Sequence, residues 1–203
     1  MRKHIILIRH GKTVGNEQKR YIGRFTDEGL SNNGVNEIAV SKEAIRQLVT
    51  DDAVIMCGPM KRDMETARLL FEEKEICTVD DLNEIDFGLF EGKDHMELSD
   101  DPRYIDWLDS GGNKPFPGGE SREDYIRVSL RGFYRAIEIM GDASEAVIVC
   151  HGGNIMSVMS SLTDGDYFDF QVKNLDGYIL EIDTDGERIF DLTYDRLGDR
   201  IHT

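Results

Sequence analysis

Two apolar segments, far apart in the chain, each end in a histidine followed by glycine. Residues 5–8 lead into Arg9-His10-Gly11, and residues 146–150 lead into His151-Gly152-Gly153. Short, nearly continuous apolar runs are typical of strands buried on both faces of a parallel sheet. In open α/β sheets, ligands bind in the crevice outside the carboxyl ends of the strands. The two segments therefore constrain the chain to an α/β fold in which both histidines face one crevice.

Strand-type and helix-type patterns alternate along the rest of the chain. Strands are predicted at residues 53–57 and 76–79, a terminal β-hairpin at 178–183 and 188–194, and helices at 31–49, 60–73, 121–140 and after His151. At 203 residues the chain is long enough for one sizeable core. The alternation predicts a single domain over residues 1–203, with a three-layer α/β/α sandwich and a mainly parallel sheet that has an antiparallel edge strand.

A third strand end carries a positive charge. Gly58-Pro59 ends the predicted strand 53–57, and Arg62 follows in the first turn of the next predicted helix. Helix N-termini at this edge of the sheet also present free N–H groups to anions. A lone Arg-His-Gly tripeptide is weak evidence and is more often a surface loop. The second strand-His-Gly-Gly unit and Arg62 favour a phosphate site instead.

The composition excludes several classes of partner. The chain has 24 Lys and Arg against 40 Asp and Glu, a formal net charge of −16, which argues against a nucleic-acid partner. The apolar run before Arg9 is too short for a signal peptide or a membrane span, so we expect no membrane partner and a cytoplasmic protein. Cys57, Cys77 and Cys150 form no Cys-x-x-Cys pair. We therefore predict reduced thiols and no zinc site. We also expect that the protein uses no other metal and no cofactor.

Several motifs, in chain order, resemble the histidine phosphatase superfamily, which includes the cofactor-dependent phosphoglycerate mutases. The resemblance covers nearly the whole chain and implies a phosphoglycerate mutase-like fold. The motifs are Arg9-His10-Gly11 with Asn16; residues 26–34; Pro59-Met60-Lys61-Arg62 followed by Glu65-Thr66-Ala67; Glu84 within residues 83–88, with residues 90–92; residues 117–121; and Cys150-His151-Gly152-Gly153.

The resemblance implies a role for individual residues. The implied catalytic residues are His10, Glu84, His151, Arg9 and Arg62, and the implied substrate-binding residues are Asn16, Gly23, Thr26 and Gly152. A neutral His10 attacks phosphorus if its other ring nitrogen is held protonated, giving a phosphohistidine. Fixed cations stabilise the phosphoryl oxygens. Glu84 would protonate the leaving alkoxide and then take a proton from the attacking water.

Three functions remain open. A metal-independent phosphomonoesterase acting on a small phosphorylated metabolite is favoured, because the five catalytic positions carry competent residues and the chain lacks the longer insertion of true mutases. The alternatives are phosphoglycerate mutase-type phosphoryl transfer and non-catalytic binding of a phosphorylated ligand. Residues 114–121 and 170–174 most resemble the α-ribazole phosphatases of this superfamily, which suggests α-ribazole 5'-phosphate as the substrate. We expect a monomer or a homodimer.

Two positions depart from the family pattern. Many relatives have Glu or Gln where this chain has Lys12, and many have Ser where it has Gly58. The spacing from Gly23 to Asp27 is also one residue longer than usual. These differences leave the chemical step intact and are expected to affect the leaving-group pocket.

Residues 93–119, called the cap segment below, are predicted to set the choice of substrate. The segment follows Glu84 closely and contains the only tryptophan, Trp107, with Tyr104 and Phe116 among turn-forming residues. We predict a short helix with loops that covers an organic leaving group. The alternative is that these aromatic residues only pack the loop onto the domain.

Overall fold

A six-stranded sheet runs through the centre of the protein. The computed structural model describes residues 1–201. The strands are β1 Arg2–Arg9, β2 Val54–Cys57, β3 Ile76–Thr78, β4 Glu145–Cys150, β5 Gly177–Thr184 and β6 Ile189–Arg196. The helices are α1 Val14–Glu17, α2 Asn32–Arg46, α3 Lys61–Leu70, α4 His95–Leu98, α5 Pro102–Asp109, α6 Arg122–Met140, α7 Gly152–Leu162 and α8 Gly198–Ile201. Short 3₁₀ turns lie at Asp80–Leu82, Gly88–Phe90 and Tyr167–Phe170.

The strand order, β3-β2-β4-β1-β5-β6, confirms the predicted fold. β4 pairs in parallel with both β1 and β2, and β2 pairs in parallel with β3. β5 runs antiparallel to β1 and to β6, so the terminal hairpin forms one edge of the sheet. Because Arg9 lies opposite Cys150 in the register of β1 and β4, the next residues of the two strands, His10 and His151, come out side by side.

Alternate residues of the central strands enter two different cores. Ile5, Leu7 and Ile148 pack on one face with residues of α6 and α7, including Phe133 and Ile155. The opposite face is covered by α2 and α3, and its core contains Ile6, Ile8, Ile38, Ile55, Ala67 and Val147. The period of two along each strand sends successive side chains to opposite faces, which produces the three layers. Within residues 1–201, none of the helices combines the length and apolar character needed to cross a bilayer.

Two boundaries differ from the predicted ones for physical reasons. β1 begins at Arg2, earlier than the apolar run, because Arg2 and Lys3 pair with Asp183 and Ile182 of β5. The Lys3 side chain is buried because its Nζ donates at 2.8 Å to the carbonyl oxygens of both Gly141 and Ala143. The cap segment contains two helices rather than one. Asp94 caps α4 by accepting the N–H of Glu97, and Asp101 caps α5 directly before Pro102.

Candidate active site

His10 is buried at the end of β1 with one ring nitrogen held by the backbone. Its Nδ1 lies 2.8 Å from the carbonyl oxygen of Gly11, so Nδ1 carries the proton and Nε2 keeps a free lone pair. Burial holds the pKa of His10 well below its usual 6.5, and the positive groups of His151, Arg62 and Arg9 lower it further. His10 is therefore neutral near pH 7 and has the form required of a nitrogen nucleophile.

His151 lies beside His10 and between two carboxylates. The two imidazole rings meet edge to face with centroids 5.1 Å apart. His151 Nδ1 is 3.6 Å from Glu84 Oε2, and Nε2 is 3.0 Å from Asp63 Oδ2. The backbone N–H of His151 donates to Asn154 Oδ1, which fixes the residue at the start of α7. The ring is fully buried, so its position is set by these neighbours.

Two arginines supply fixed positive charge to the same place. Arg62 is almost fully buried in the first turn of α3, and its guanidinium donates to the carbonyl oxygen of Thr26 at 3.0 Å. Arg9 donates from Nη1 to the carbonyl oxygen of Val172 at 2.9 Å, whereas its buried Nε has no hydrogen-bond partner within residues 1–201. Burial lowers the pKa of Arg9, and the Glu84 carboxylate opposes this shift.

Glu84 reaches the pocket from the loop after the first 3₁₀ turn. Its Oε1 accepts the backbone N–H of Ile85 at 2.9 Å and the hydroxyl of Tyr125 at 3.0 Å. Oε2 is the oxygen that faces His151. Burial raises the pKa of Tyr125 well above its usual 10, so the phenol stays protonated and donates to Glu84. One oxygen of Glu84 is thus held, and the other is directed at the site. Arg9, His10, Arg62, Glu84 and His151 are the residues predicted to be catalytic, and after that predicted role we call them the phosphoryl pocket.

The four predicted substrate-binding residues fall into two groups. Asn16 and Gly152 line the cleft in front of the phosphoryl pocket. Asn16 Oδ1 accepts from Asn174 Nδ2, which also donates to the carbonyl oxygen of His10. Gly23 and Thr26 do not line the cleft. Their carbonyl oxygens instead lie 3.4 and 3.0 Å from the guanidinium of Arg62, so they orient that arginine.

Two residues with functional contacts were not singled out from the sequence as site residues. Tyr125 lies in the helix predicted at residues 121–140, and its hydroxyl donates to Glu84. Asp63 is fully buried and contacts His151. A signal for Asp63 was present, because it precedes the buried Ala67 by four residues and Leu70 by seven, which places a charge on the buried face of α3.

The cleft has a volume of about 870 Å³ and is positive despite the acidic composition of the chain. Seven basic and two acidic side chains line it. The basic ones are Arg9, Lys12, Lys19, Arg20, Arg122, Lys173 and Arg196, and the acidic ones are Glu37 and Glu84. Focused positive potential in a cleft attracts small anions. The cap segment contributes Trp107, Gly112 and Phe116 to the same lining.

One group of side chains in residues 1–201 has the spacing of a metal site. His10, Asp63 and His151 offer three ligand atoms that lie within 4.8 Å of one another. The positive charges of Arg9 and Arg62 lower the pKa of His10, which shows that they disfavour another positive charge at this position. They would repel a metal cation in the same way. The surroundings of the cluster thus suit an anion better than a divalent metal.

The model of the histidine phosphatase superfamily (branch 1) matches residues 5–194. A 2,3-bisphosphoglycerate-dependent phosphoglycerate mutase 2 of Gloeobacter violaceus is 29% identical over 167 residues, which cover 78% of this chain and 74% of that protein. A bifunctional protein of Mycobacterium tuberculosis is 32% identical over 151 residues, 72% of this chain but only 40% of that relative. The α-ribazole phosphatase of Shigella flexneri has the same fold, with a TM-score of 0.79 at 24% identity over 97% of this chain and 96% of that one.

Proposed function

This chain belongs to branch 1 of the histidine phosphatase superfamily, and on that premise we propose that it is a phosphomonoesterase acting through a phosphohistidine on His10. The observation that carries the proposal is the tautomer of His10. The carbonyl oxygen of Gly11 holds the Nδ1 proton, which leaves Nε2 as a neutral nucleophile among fixed cations. A histidine that only bound phosphate would bind it more tightly as a positively charged imidazolium.

In the first step, the lone pair of His10 Nε2 attacks phosphorus and the ester P–O bond breaks. The departing oxygen takes the bonding electrons and receives a proton from Glu84, which enters this step as the carboxylic acid and leaves it as the carboxylate. The Nδ1–H of His10, bound to Gly11, stabilises the positive charge that develops on the ring. Arg9, Arg62 and His151 stabilise the equatorial oxygens, where charge is spread in phosphoryl transfer.

In the second step, water attacks the phosphohistidine. The Glu84 carboxylate takes a proton from the water, the P–N bond breaks, and inorganic phosphate leaves with His10 restored. Tyr125 keeps one oxygen of Glu84 occupied, so the other oxygen performs both proton transfers. The scheme uses no metal and no cofactor, and both absences are part of the proposal.

For the substrate we propose a small phosphorylated metabolite, with α-ribazole 5'-phosphate as the first compound to test. Support comes from the similarity of residues 114–121 and 170–174 to α-ribazole phosphatases and from the aromatic side chains of the cleft. Trp107, Phe116 and Phe168 offer flat apolar surfaces for the organic part of such a substrate.

Phosphoglycerate mutase-type phosphoryl transfer is the second candidate. Lys19 and Lys173 line the cleft, and neither forms an ion pair within residues 1–201. Two unpaired cations near the mouth would suit a substrate with a second anionic group, such as a phosphoglycerate.

The test is a panel of substrates with His10→Ala as the control. Phosphate release from α-ribazole 5'-phosphate, phosphoglycerates, sugar phosphates and p-nitrophenyl phosphate is measured with and without a chelator. The proposal requires release that depends on His10 and is unchanged by the chelator. Interconversion of phosphoglycerates without net phosphate release would favour the mutase. A rate restored only by an added divalent cation would overturn the metal-free mechanism.

A further inference from the structure

The Asp63 carboxylate is buried without a hydrogen-bond donor. The residue is completely inaccessible, and neither of its oxygens has a hydrogen-bond partner within residues 1–201. Its close polar neighbour is His151, whose Nε2 lies 3.0 Å from Asp63 Oδ2. This distance suits an ion pair, but the alignment is poor for a hydrogen bond. A buried carboxylate with so few partners costs stability, so its presence calls for a reason other than folding.

The surrounding structure makes room for this charge. Asp63 lies in the first turn of α3, where the helix dipole favours a negative side chain. A Cβ atom on Gly58 would stand only 2.6 Å from Asp63 Oδ2 and 2.5 Å from the carbonyl oxygen of Leu82. The glycine that departs from the family pattern thus leaves space for the carboxylate. The sequence predicted that the glycine at position 58 would affect the leaving-group pocket. In the structure its neighbours are instead Asp63 and Leu82.

The negative charge of Asp63 also affects the pKa of two cysteines at the ends of neighbouring strands. Burial, with the Asp63 carboxylate as the next cause, raises the pKa of the Cys57 thiol to about 12 and raises the pKa of the Cys150 thiol. Both cysteines lie at the carboxyl ends of their strands, and Cys150 directly precedes His151. Asp63 therefore contributes negative potential on the side of His151 away from Glu84.

We propose that Asp63 is a positioning residue of the phosphoryl pocket, which pairs with His151 Nε2–H and stabilises the imidazolium form of His151, so that its Nδ1–H donates to a phosphoryl oxygen. This inference rests on the proposed function. His151 Nδ1 points to the side of Glu84, which lines the cleft where the phosphoryl group binds. A carboxylate bound to one ring nitrogen fixes the orientation of a histidine and stabilises its imidazolium form. Contacts of this kind are often poorly aligned in an empty site and become shorter when the substrate binds.

The test is a double-mutant cycle between Asp63 and His151. Asp63→Asn keeps the shape of the side chain and removes its charge. We expect kcat/KM for p-nitrophenyl phosphate to fall by about 10- to 100-fold, as for other carboxylates that orient a functional histidine. In a His151→Gln background, the same substitution should change kcat/KM by less than about twofold, because the partner is already gone. The affinity for inorganic phosphate, measured by calorimetry, should follow the same pattern.

The melting temperature of Asp63→Asn is a second measurement, and it should not fall together with the activity. Because Asp63 is buried and poorly partnered, Asp63→Asn should leave the melting temperature unchanged or raise it while activity falls. Asp81→Asn is the matched control. Asp81 forms two short contacts with Arg131 at the surface, so its substitution should lower the melting temperature slightly and leave kcat/KM unchanged.

Three results would overturn the inference. They are equal losses in the wild-type and His151→Gln backgrounds, a lowered melting temperature with proportionate loss of activity, or full activity of Asp63→Asn. If His151→Gln does not fold, ¹⁵N spectra of the imidazoles decide instead, because Asp63→Leu must then change the protonation of His151 Nε2. If the wild-type protein bound phosphate without hydrolysing any ester, the proposed function would fail, while the phosphate affinities of the variants would still test Asp63.

Discussion

The phosphoryl pocket and the cap segment meet at one cleft but are built in different ways. In the pocket, the register of β1 against β4 sets His10 beside His151. In the cap segment, Trp107 stacks on Phe116 with ring centroids 4.8 Å apart, and Tyr104 is buried in the same aromatic cluster. This cluster is separate from the two cores on the sheet. If the proposed function holds, the backbone positions the residues of the chemical step and side-chain packing shapes the surface that covers the substrate, so mutations should separate the two functions.

The largest effect is expected in the pocket, from His10→Ala. The substitution removes the only nucleophilic nitrogen of the proposed mechanism and leaves the cap segment unchanged. Turnover of p-nitrophenyl phosphate and of the preferred substrate should both fall by about 10⁴-fold or more, with a native circular dichroism spectrum.

His4→Ala is the control for this variant. His4 lies near the opposite end of β1, where its Nδ1 is 2.6 Å from Glu181 Oε1, so turnover should be retained. Trapping a phosphorylated intermediate on a residue other than His10 would contradict the assignment of the nucleophile.

Glu84→Gln should come next and should depend on the leaving group. An alkyl phosphate needs a proton on its departing oxygen, and we expect kcat/KM to fall by about 10²- to 10³-fold. The phenolate of p-nitrophenyl phosphate leaves without such help, so its loss should be much smaller. Tyr125→Phe, which removes one of the two hydrogen bonds to Glu84 Oε1, should cause a smaller loss with the same preference. Equal losses on both substrates would remove Glu84 from the role of proton donor.

The third prediction concerns stability against pH and again involves only the pocket. His10 stays neutral in the folded protein because burial and nearby cations hold its pKa well below 6.5, whereas it takes up a proton near pH 6.5 when unfolded. Below pH 6.5 the unfolded state therefore binds more protons, and the fold loses stability as the pH falls. Above pH 6.5 both states are neutral and the contribution is constant.

The measurement is the free energy of unfolding of the wild type and of His10→Gln between pH 7.5 and 5. Loss of the titrating group should reduce the pH dependence below pH 6.5 by up to about 1.4 kcal/mol per pH unit. Trp107→Phe should keep the wild-type dependence, because the cap segment is not part of this titration. Identical slopes for wild type and His10→Gln would show that His10 is not held neutral in the fold.

The same contrast explains what could be predicted from the sequence. Strand periodicity places His10 and His151 at the ends of apolar runs, and the parallel sheet then brings strand ends together. The carboxylate partner of His151 could not be predicted, because the helical period of α3 shows that Asp63 faces the core but not what it meets there. The two helices of the cap segment begin at Asp94 and Asp101, which act as their N-caps. An N-cap is a single residue, and the glycines and prolines of the same segment favour loops, so the sequence did not predict both helices.

The smallest expected effect, and the one that best distinguishes cap from pocket, comes from Trp107→Phe. Trp107 lines the cleft, and its Nε1 is buried without a hydrogen-bond partner within residues 1–201. Phenylalanine keeps an aromatic ring on Phe116 and removes only this donor. If the indole N–H binds the leaving group, kcat/KM for the preferred substrate should fall by about three- to tenfold, the value of one hydrogen bond. p-Nitrophenyl phosphate should be unaffected. Trp107→Ala would add a loss of stability, because it removes the stacking partner of Phe116. If the indole only packs the cap segment onto the domain, Trp107→Phe should leave both substrates unchanged, and Trp107→Ala should reduce both alike together with the melting temperature.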